Sequence, residues 1–131
     1  MPHIVIEHSA NLEAHADVDD LVAVVHAAAI ADGLPPADGL RTRAVSREHY
    51  RIADGDPAWG FVAITARIGA GRADGDKRRF LDALTETADA WAREIAPLDI
   101  AVSVELQEID PAWRANRNHV RAAMERRRTA S

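Results

Sequence analysis

Proline stands directly after the first methionine, where its nitrogen can become the amino terminus of the protein. If Met1 is removed, as is usual before proline, Pro2 carries a free secondary amine instead of an amide. The pKa of an α-amino group is about 7.7 to 8.0, and burial or nearby cations lower it because both disfavour the protonated form. A neutral amine near physiological pH is a competent general base. The sequence therefore predicts Pro2 as a proton-transfer group, although chance alone places proline there in roughly one chain in twenty.

Three arginines are candidate ligands for an anionic substrate. Arg41 and Arg43 alternate in "GLRTRAV" and so share one face of a predicted strand, while Arg72 follows the glycines of "IGAGR". Glycines permit close approach of the backbone, and a guanidinium presents a planar fork that fits a carboxylate. Arg41 and Arg43 could equally face solvent on an edge strand, and the glycines before Arg72 could simply form a turn between a strand and a helix. Two arginines beside a neutral amine would suit a small carboxylate substrate that undergoes proton transfer.

The composition excludes several other kinds of chemistry. The chain has no cysteine, which rules out disulfides and thiol nucleophiles, and its six histidines show no zinc-ligand spacing. The turn before Arg72 lacks the GxxxxGK[ST] and GxGxxG patterns, so no nucleotide site is predicted. The net charge of −5 opposes nucleic-acid binding, and we interpret the arginine-rich segment 114–128 as a solvated helix with a frayed tail at about 125–131. We expect no metal and no cofactor.

The length and hydropathy of the chain predict one folded domain over residues 1–131. No apolar run reaches the roughly 20 residues that span a bilayer. The first residues also lack the basic segment followed by an apolar segment that is typical of a secretion signal. We therefore expect no membrane association and a cytoplasmic protein.

Hydrophobic periodicity predicts the elements that must position these residues. Apolar residues at helical spacing predict two helices, the first capped by Asp17 or Asp19 and the second by Asp74 or Asp76. The predicted order is a strand at 3–7, a helix ending at Gly33, a strand at 39–45, a strand at 59–69, a second helix and a strand at 99–109. The chain thus repeats a β-α-β unit, and residues 46–58 join the two copies.

Two β-α-β units predict an α+β fold in which right-handed crossovers put both helices on one face of a four-stranded sheet. The strands alternate, so that Ile4 and Ile6 lie on one face and His3, Val5 and Glu7 on the other. Two helices leave the second sheet face uncovered, and the apolar content of the strands favours a protein partner there. We therefore predict a homo-oligomer.

Four segments, in order from Pro2 to about Met124, resemble one known family. They are "PHIVIEHSANL", "GLPPADGLRTRAV", "FVAITARIGAGR" and "VELQEIDPAWRANRNHV". The family is the 5-carboxymethyl-2-hydroxymuconate Δ-isomerases of the tautomerase superfamily. The resemblance implies a homotrimer of β-α-β-α-β subunits whose sheets face inward, with active sites near the subunit boundaries and no cofactor.

The resemblance also implies roles for individual residues. Pro2 becomes the acid-base catalyst, and Arg41 polarises the substrate beside it. Arg41 and Arg72 also bind carboxylates, and Arg43 and Phe61 complete the substrate-binding set, some of which a neighbouring subunit can supply. The implied reaction moves a proton within an unsaturated 2-hydroxy di- or tricarboxylic acid and yields a 2-oxo acid.

Other functions stay open at this point. Related tautomerases hydrate or dehalogenate unsaturated acids with the same proline, and a non-catalytic trimer that binds a small anion would use the same arginines. The catalytic role of Pro2 depends on the loss of Met1. If Met1 were retained, Pro2 would have an amide nitrogen, and a carboxylate such as Glu7 would have to be considered as the base.

Overall fold

The computed structural model describes residues 1–130 of the 131. The strands are β1 (His3–Ser9), β2 (Arg41–Arg47), β3 (Trp59–Gly69) and β4 (Asp99–Ile109), and the helices are α1 (Val18–Asp32), α2 (Asp74–Arg93) and α3 (His119–Ala130). Short 3₁₀ turns lie at Ala10–Ala14, Ala37–Gly39 and Pro111–Trp113. All six predicted elements are present, and α3 follows them.

The four strands form one mixed sheet in the order β2-β1-β3-β4. Strand β1 is parallel to β2 and β3 is parallel to β4, as two β-α-β units require, while β1 and β3 are antiparallel. The predicted α+β fold is therefore confirmed. In this register, His3 at the start of β1 lies opposite Arg41 on one side and Arg67 on the other.

The hydrophobic core lies between one face of the sheet and helices α1 and α2. Its largest side chains alternate along β1 and β3 and recur at helical spacing along the helices: Ile4, Ile6, Val62, Ile64 and Ile68 from the strands, and Leu21, Val25, Phe80 and Leu84 from the helices. The predicted alternation is confirmed. Within residues 1–130 the opposite sheet face is uncovered, and it combines the half-buried Val5 and Phe61 with the exposed Arg43 and Arg67.

The ends of the helices agree with the sequence prediction in part. The carboxylate of Asp17 caps α1 by accepting a hydrogen bond from the Asp19 N–H at 3.0 Å, and Gly33 ends that helix with a left-handed φ of 83°. The cap predicted for α2 is wrong, because α2 starts at Asp74 itself and Ala73 offers no side-chain cap. Acidic residues in a first turn still stabilise a helix through its dipole.

Two strand boundaries also differ from the prediction. Strand β1 continues to Ser9, and β2 runs from Arg41 to Arg47 because residues Ala37–Gly39 form a 3₁₀ turn instead of the start of the strand. The predicted strand ends were set by hydropathy, whereas hydrogen bonding to the neighbouring strand decides where each strand stops. Among residues 1–130, no helix is both long and apolar enough to cross a membrane.

The carboxyl-terminal segment is more ordered than the sequence indicates. Asn118 donates a hydrogen bond from Nδ2 to the carbonyl oxygen of Asp38 at 3.0 Å, and Arg121 donates to both carboxylate oxygens of Asp38 at 2.9 and 3.1 Å. These contacts fix α3 on the turn before β2. The tail that we expected to fray at about 125–131 is helical to Ala130, and Ser131 lies outside the described residues.

Candidate active site

Pro2 is buried at the edge of a cavity of about 370 Å³ at the end of the sheet where β1 begins and β3 ends. The turn after β3 and the segment after β4 supply most of the remaining wall. The polar side chains of the lining are Arg72, Arg114, Asn116, Asn118 and Arg121. No acidic residue lines this cavity among the residues that the structure describes, so its charge is entirely cationic.

The turn between β3 and α2 brings Arg72 to this cavity. Gly71 has a left-handed φ of 98°, a conformation that residues with a side chain rarely adopt, and its N–H donates to Glu108 Oε2 at 3.3 Å. The guanidinium of Arg72 is half-buried and donates from Nη1 to the carbonyl oxygen of Leu34. Pro2 and Arg72 therefore line the same cavity within a single subunit.

Arg41 approaches Pro2 from the other side. Its N–H donates to the carbonyl oxygen of Pro2 at 3.3 Å, and Arg41 lines a second cavity of about 270 Å³ together with Arg117 and His119. Met1 lines both cavities. Met1 therefore adjoins both the cavity of Arg41 and the cavity of Arg72.

His3 contacts Arg41 and Arg43 of β2 on the uncovered face of the sheet. Arg41 Nη2 lies 2.9 Å from His3 Nε2, and Arg43 Nη1 lies 3.2 Å from His3 Nδ1. A neutral imidazole accepts through only one nitrogen, so at most one of these contacts is a hydrogen bond at a time. Partial burial, followed by Arg41, Arg43 and Arg67, lowers the pKa of His3 to about 4. His3 is therefore neutral at physiological pH.

The charged surroundings act on the amino terminus in the same direction. Partial burial, and then Arg114, Arg41 and Arg121, lower the pKa of the Met1 amino group below its ordinary value. Both causes penalise the protonated amine, because burial removes its water and the guanidiniums repel its charge. An amine at this point of the fold is held closer to its neutral, basic form.

Phe61 is the one predicted site residue that lies far from Pro2 within the subunit. Its N–H donates to Ser9 Oγ at 2.9 Å at the far end of β1, and its ring packs edge-on against Tyr50 with centroids 6.0 Å apart. Seven residues along β3 separate it from Ile68, which is about 24 Å at strand spacing. The antiparallel pairing of β1 and β3 puts these residues at opposite ends of the sheet.

The predicted site residues did not include Arg114, Asn116, Asn118, Arg121 or His3. The first four were assigned to a solvated segment, and they reach the cavity only because α3 packs on the turn at Ala37–Gly39. His3 reaches Arg41 only through the parallel register of β1 and β2. The sequence signal that could have identified the four carboxyl-terminal residues was the family resemblance, because it extends through "RANRNHV".

Comparisons with known proteins give the family of the chain. The family model of the 5-carboxymethyl-2-hydroxymuconate isomerases matches residues 2–124. The 5-carboxymethyl-2-hydroxymuconate Delta-isomerase of Escherichia coli is 31% identical over 123 residues, which are 93% of this chain and 98% of that protein.

Two solved structures extend the likeness to the fold. The crystal structure of a 5-carboxymethyl-2-hydroxymuconate isomerase from Deinococcus radiodurans R1 is 29% identical, with a TM-score of 0.82 over 94% of this chain and 93% of that chain. A fused 4-OT symmetric trimer shares the fold at 16% identity, with a TM-score of 0.70 over 88% of this chain and 92% of that chain. This chain therefore belongs to the 5-carboxymethyl-2-hydroxymuconate isomerase family.

Proposed function

We propose that the protein is a cofactor-independent isomerase that moves a proton within an unsaturated 2-hydroxy tricarboxylic acid of the 5-carboxymethyl-2-hydroxymuconate kind. One observation carries the proposal. Pro2 lies at a cavity whose charged lining consists of arginines, in a chain with a net charge of −5. Such a cavity attracts a carboxylate substrate to the position where a basic amine can act. We infer the substrate from the family and from its Escherichia coli member, both of which are named for the isomerisation of 5-carboxymethyl-2-hydroxymuconate.

Removal of Met1 is the first requirement of this function. It converts the nitrogen of Pro2 from an amide into a secondary amine, which is able to accept a proton. It also takes away the residue that lines both the cavity with Arg72 and the cavity with Arg41. The arginines that lower the pKa of the Met1 amino group are expected to act on the new terminus in the same direction and so to favour the unprotonated Pro2 amine, the form that can accept a proton.

The reaction then needs one base and two cationic groups. The Pro2 amine takes the proton of the 2-hydroxyl group, the electron pair of the O–H bond forms the 2-oxo carbonyl, and the conjugated π electrons move toward a remote carbon. That carbon takes the proton back from the Pro2 ammonium, so the amine is regenerated. Arg41 stabilises the dienolate oxygen, where negative charge develops, and Arg72 holds a distal carboxylate.

We further propose that the working enzyme is a homotrimer built on the uncovered sheet face. Two observations support this assembly. The apolar residues Val5 and Phe61 are only half-buried on that face, and the fused 4-OT structure, which has the same fold, is described as a symmetric trimer. In such an assembly the Phe61 of one subunit contributes to the site of another, since it lies far from its own Pro2. Arg43 lies on the same face and adds to the cationic field around His3.

The test is a direct assay of the purified protein. With 5-carboxymethyl-2-hydroxymuconate as substrate, we expect the ultraviolet absorbance of the dienol to fall and NMR to identify the unsaturated 2-oxo acid as the product. A 3-haloacrylate, assayed in the same way, tests for dehalogenation, and 2-oxo-3-pentynoate tests for hydration. Turnover of those acids without isomerisation would overturn the proposal, and binding without any turnover would assign the protein to small-anion binding.

A further inference from the structure

Arg114 is the one arginine of the Pro2 cavity whose guanidinium has no hydrogen-bond or ion-pair partner among residues 1–130. Arg121 is neutralised by its paired hydrogen bonds to Asp38. Arg72 donates to a backbone carbonyl, which orients it without cancelling its charge. The guanidinium of Arg114 instead lies over Gly69, where a Cβ would be 3.6 Å from Nη1. Two uncompensated positive charges, from Arg72 and Arg114, therefore face one cavity.

The segment that carries Arg114 is held at both of its ends. On one side, the Asp110 carboxylate accepts a hydrogen bond from the Ala112 N–H at 2.9 Å and fixes the turn before it. On the other side, Asn118 is bound to the carbonyl of Asp38 at 3.0 Å. A side chain on a short segment anchored at both ends loses less entropy when it binds a ligand than one on a free tail.

We propose that Arg114 binds a carboxylate that takes no part in the proton transfer, and that this contact makes the enzyme prefer tricarboxylic over dicarboxylic substrates. This inference rests on the proposed function. Arg72 and Arg114 line the cavity of Pro2, and Arg41 is joined to Pro2 by the hydrogen bond from its N–H to the Pro2 carbonyl, so three arginines are available near Pro2. Arg41 acts on the 2-oxygen and on the carboxylate next to it, and Arg72 holds a distal carboxylate, so a diacid leaves Arg114 unpaired. A triacid has one more carboxylate, and its pairing is the one that Arg114 supplies.

The kinetic test compares two substrates that differ by one carboxylate. With 5-carboxymethyl-2-hydroxymuconate, Arg114→Ala is expected to lower kcat/KM by about ten- to a hundredfold, as the loss of a charged hydrogen bond predicts, mainly through a higher KM. With 2-hydroxymuconate the change is expected to be less than about threefold, because the reacting atoms do not touch Arg114. The matched control is Arg127→Ala, which removes the same charge from an exposed position of α3. An equal loss for both substrates, or no loss for either, would overturn the inference.

A binding measurement separates this inference from the proposed reaction. Calorimetry compares propane-1,2,3-tricarboxylate with glutarate, which has the same carbon chain and one carboxylate fewer. The wild-type protein is expected to bind the triacid about tenfold more tightly or better, and Arg114→Ala is expected to remove that preference. If the wild-type protein isomerises neither muconate, the proposed function fails while this comparison still decides the role of Arg114. A triacid preference that survives in Arg114→Ala would overturn it.

Discussion

At the scale of single residues, Met1 occupies the space in which the proposed site is assembled. Met1 lines the cavity with Arg72 and also the cavity with Arg41, and its peptide bond makes the nitrogen of Pro2 an amide. One cleavage therefore changes both the chemistry of the base and the shape of its surroundings. The arginines on either side need no rearrangement for this change, because Arg72 is bound to Leu34 and Arg41 to His3.

The two arginines on either side of Pro2 are expected to contribute to turnover and not to folding. Replacing Arg41 or Arg72 by alanine should cost roughly 3 kcal/mol of transition-state stabilisation, by analogy with the removal of an oxyanion donor. The measurement is kcat/KM for 5-carboxymethyl-2-hydroxymuconate, with circular dichroism as the check on folding. Arg78→Ala on the exposed face of α2 serves as the control. Wild-type turnover in both site variants would assign these arginines to the surface.

His3 should make the stability of the protein depend on pH. Its pKa is lowered from 6.5 to about 4 in the folded protein, so the unfolded chain takes up a proton at higher pH than the folded chain. Its contribution to stability is therefore complete above about pH 6.5 and is lost as the pH falls toward 4. Urea unfolding at a series of pH values should show this loss, and His3→Gln should reduce it. His49→Gln, at an exposed position, should leave the loss unchanged. An unchanged pH dependence in His3→Gln would contradict the assignment.

At the scale of elements, the start of β3 is packed too tightly for any added side-chain atom. A Cβ on Gly60 would lie 2.8 Å from Leu12 Cδ1, 3.2 Å from Ile100 Cγ1 and 3.3 Å from Ser9 Oγ. Because Leu12 is fully buried in the core, it can move aside only if its core neighbours shift with it. This contact joins the first 3₁₀ turn to the sheet at the end opposite Pro2.

Gly60→Ala is therefore expected to destabilise the protein by about 1–3 kcal/mol, the usual cost of overpacking a core. The matched variant is Gly75→Ala in the first turn of α2, where a Cβ would meet nothing within 4 Å. There alanine should stabilise the helix by about 0.5–1 kcal/mol, because it loses less backbone entropy than glycine. Urea denaturation of both variants measures the difference. A Gly60→Ala protein as stable as the wild type would show that Leu12 can repack.

The elements were predictable from the sequence because one face of the sheet is buried. That burial gives β1 and β3 their strict alternation, and it gives α1 and α2 their apolar stripes. The register between strands was not predictable, since it depends on contacts between distant parts of the chain. For this reason Pro2 and Arg72 could be paired through the family resemblance, whereas the contact of His3 with Arg41 and the distance of Phe61 from Pro2 emerged only with the fold.

The contribution of the carboxyl-terminal segment was hidden for a different reason. Its arginines have the composition of a solvated helix, and most of α3 is indeed exposed. Only the hydrogen bonds of Asn118 and Arg121 to Asp38 bring the segment to the cavity, and such polar contacts leave no periodic pattern in a sequence. The family resemblance reached this segment without indicating that Arg114 faces Pro2.

At the scale of the whole molecule, the proposed trimer is expected to bury the uncovered face of the sheet. Light scattering should give a mass of three times the 14.3 kDa protomer at working concentration. Val5→Arg, which introduces charge on the half-buried part of that face, should dissociate the trimer without touching the core between sheet and helices. A stable wild-type monomer of 14.3 kDa would contradict the assembly and would leave Phe61 without a role in the site.

The charge of the molecule also bears on its substrate. A net charge of −5 repels anions at long range, whereas the cavity next to Pro2 has only arginines among its charged lining residues within the described part of the chain. The attraction that such a cavity exerts is local and acts once a carboxylate has reached its mouth. Selectivity for multiply charged acids is the expected result.

The central claim is that the Pro2 amine is the base, and one comparison tests it most directly. Two forms of the protein, one beginning at Pro2 and one retaining Met1, are separated and identified by intact mass, and kcat/KM for 5-carboxymethyl-2-hydroxymuconate is measured for each across pH. We predict that activity of the Pro2 form rises with pH through a single ionisation, and that the Met1 form is slower by about 10²–10⁴-fold and lacks that ionisation. Equal activity of the two forms would contradict the account and would direct the search for the base to a carboxylate such as Glu7.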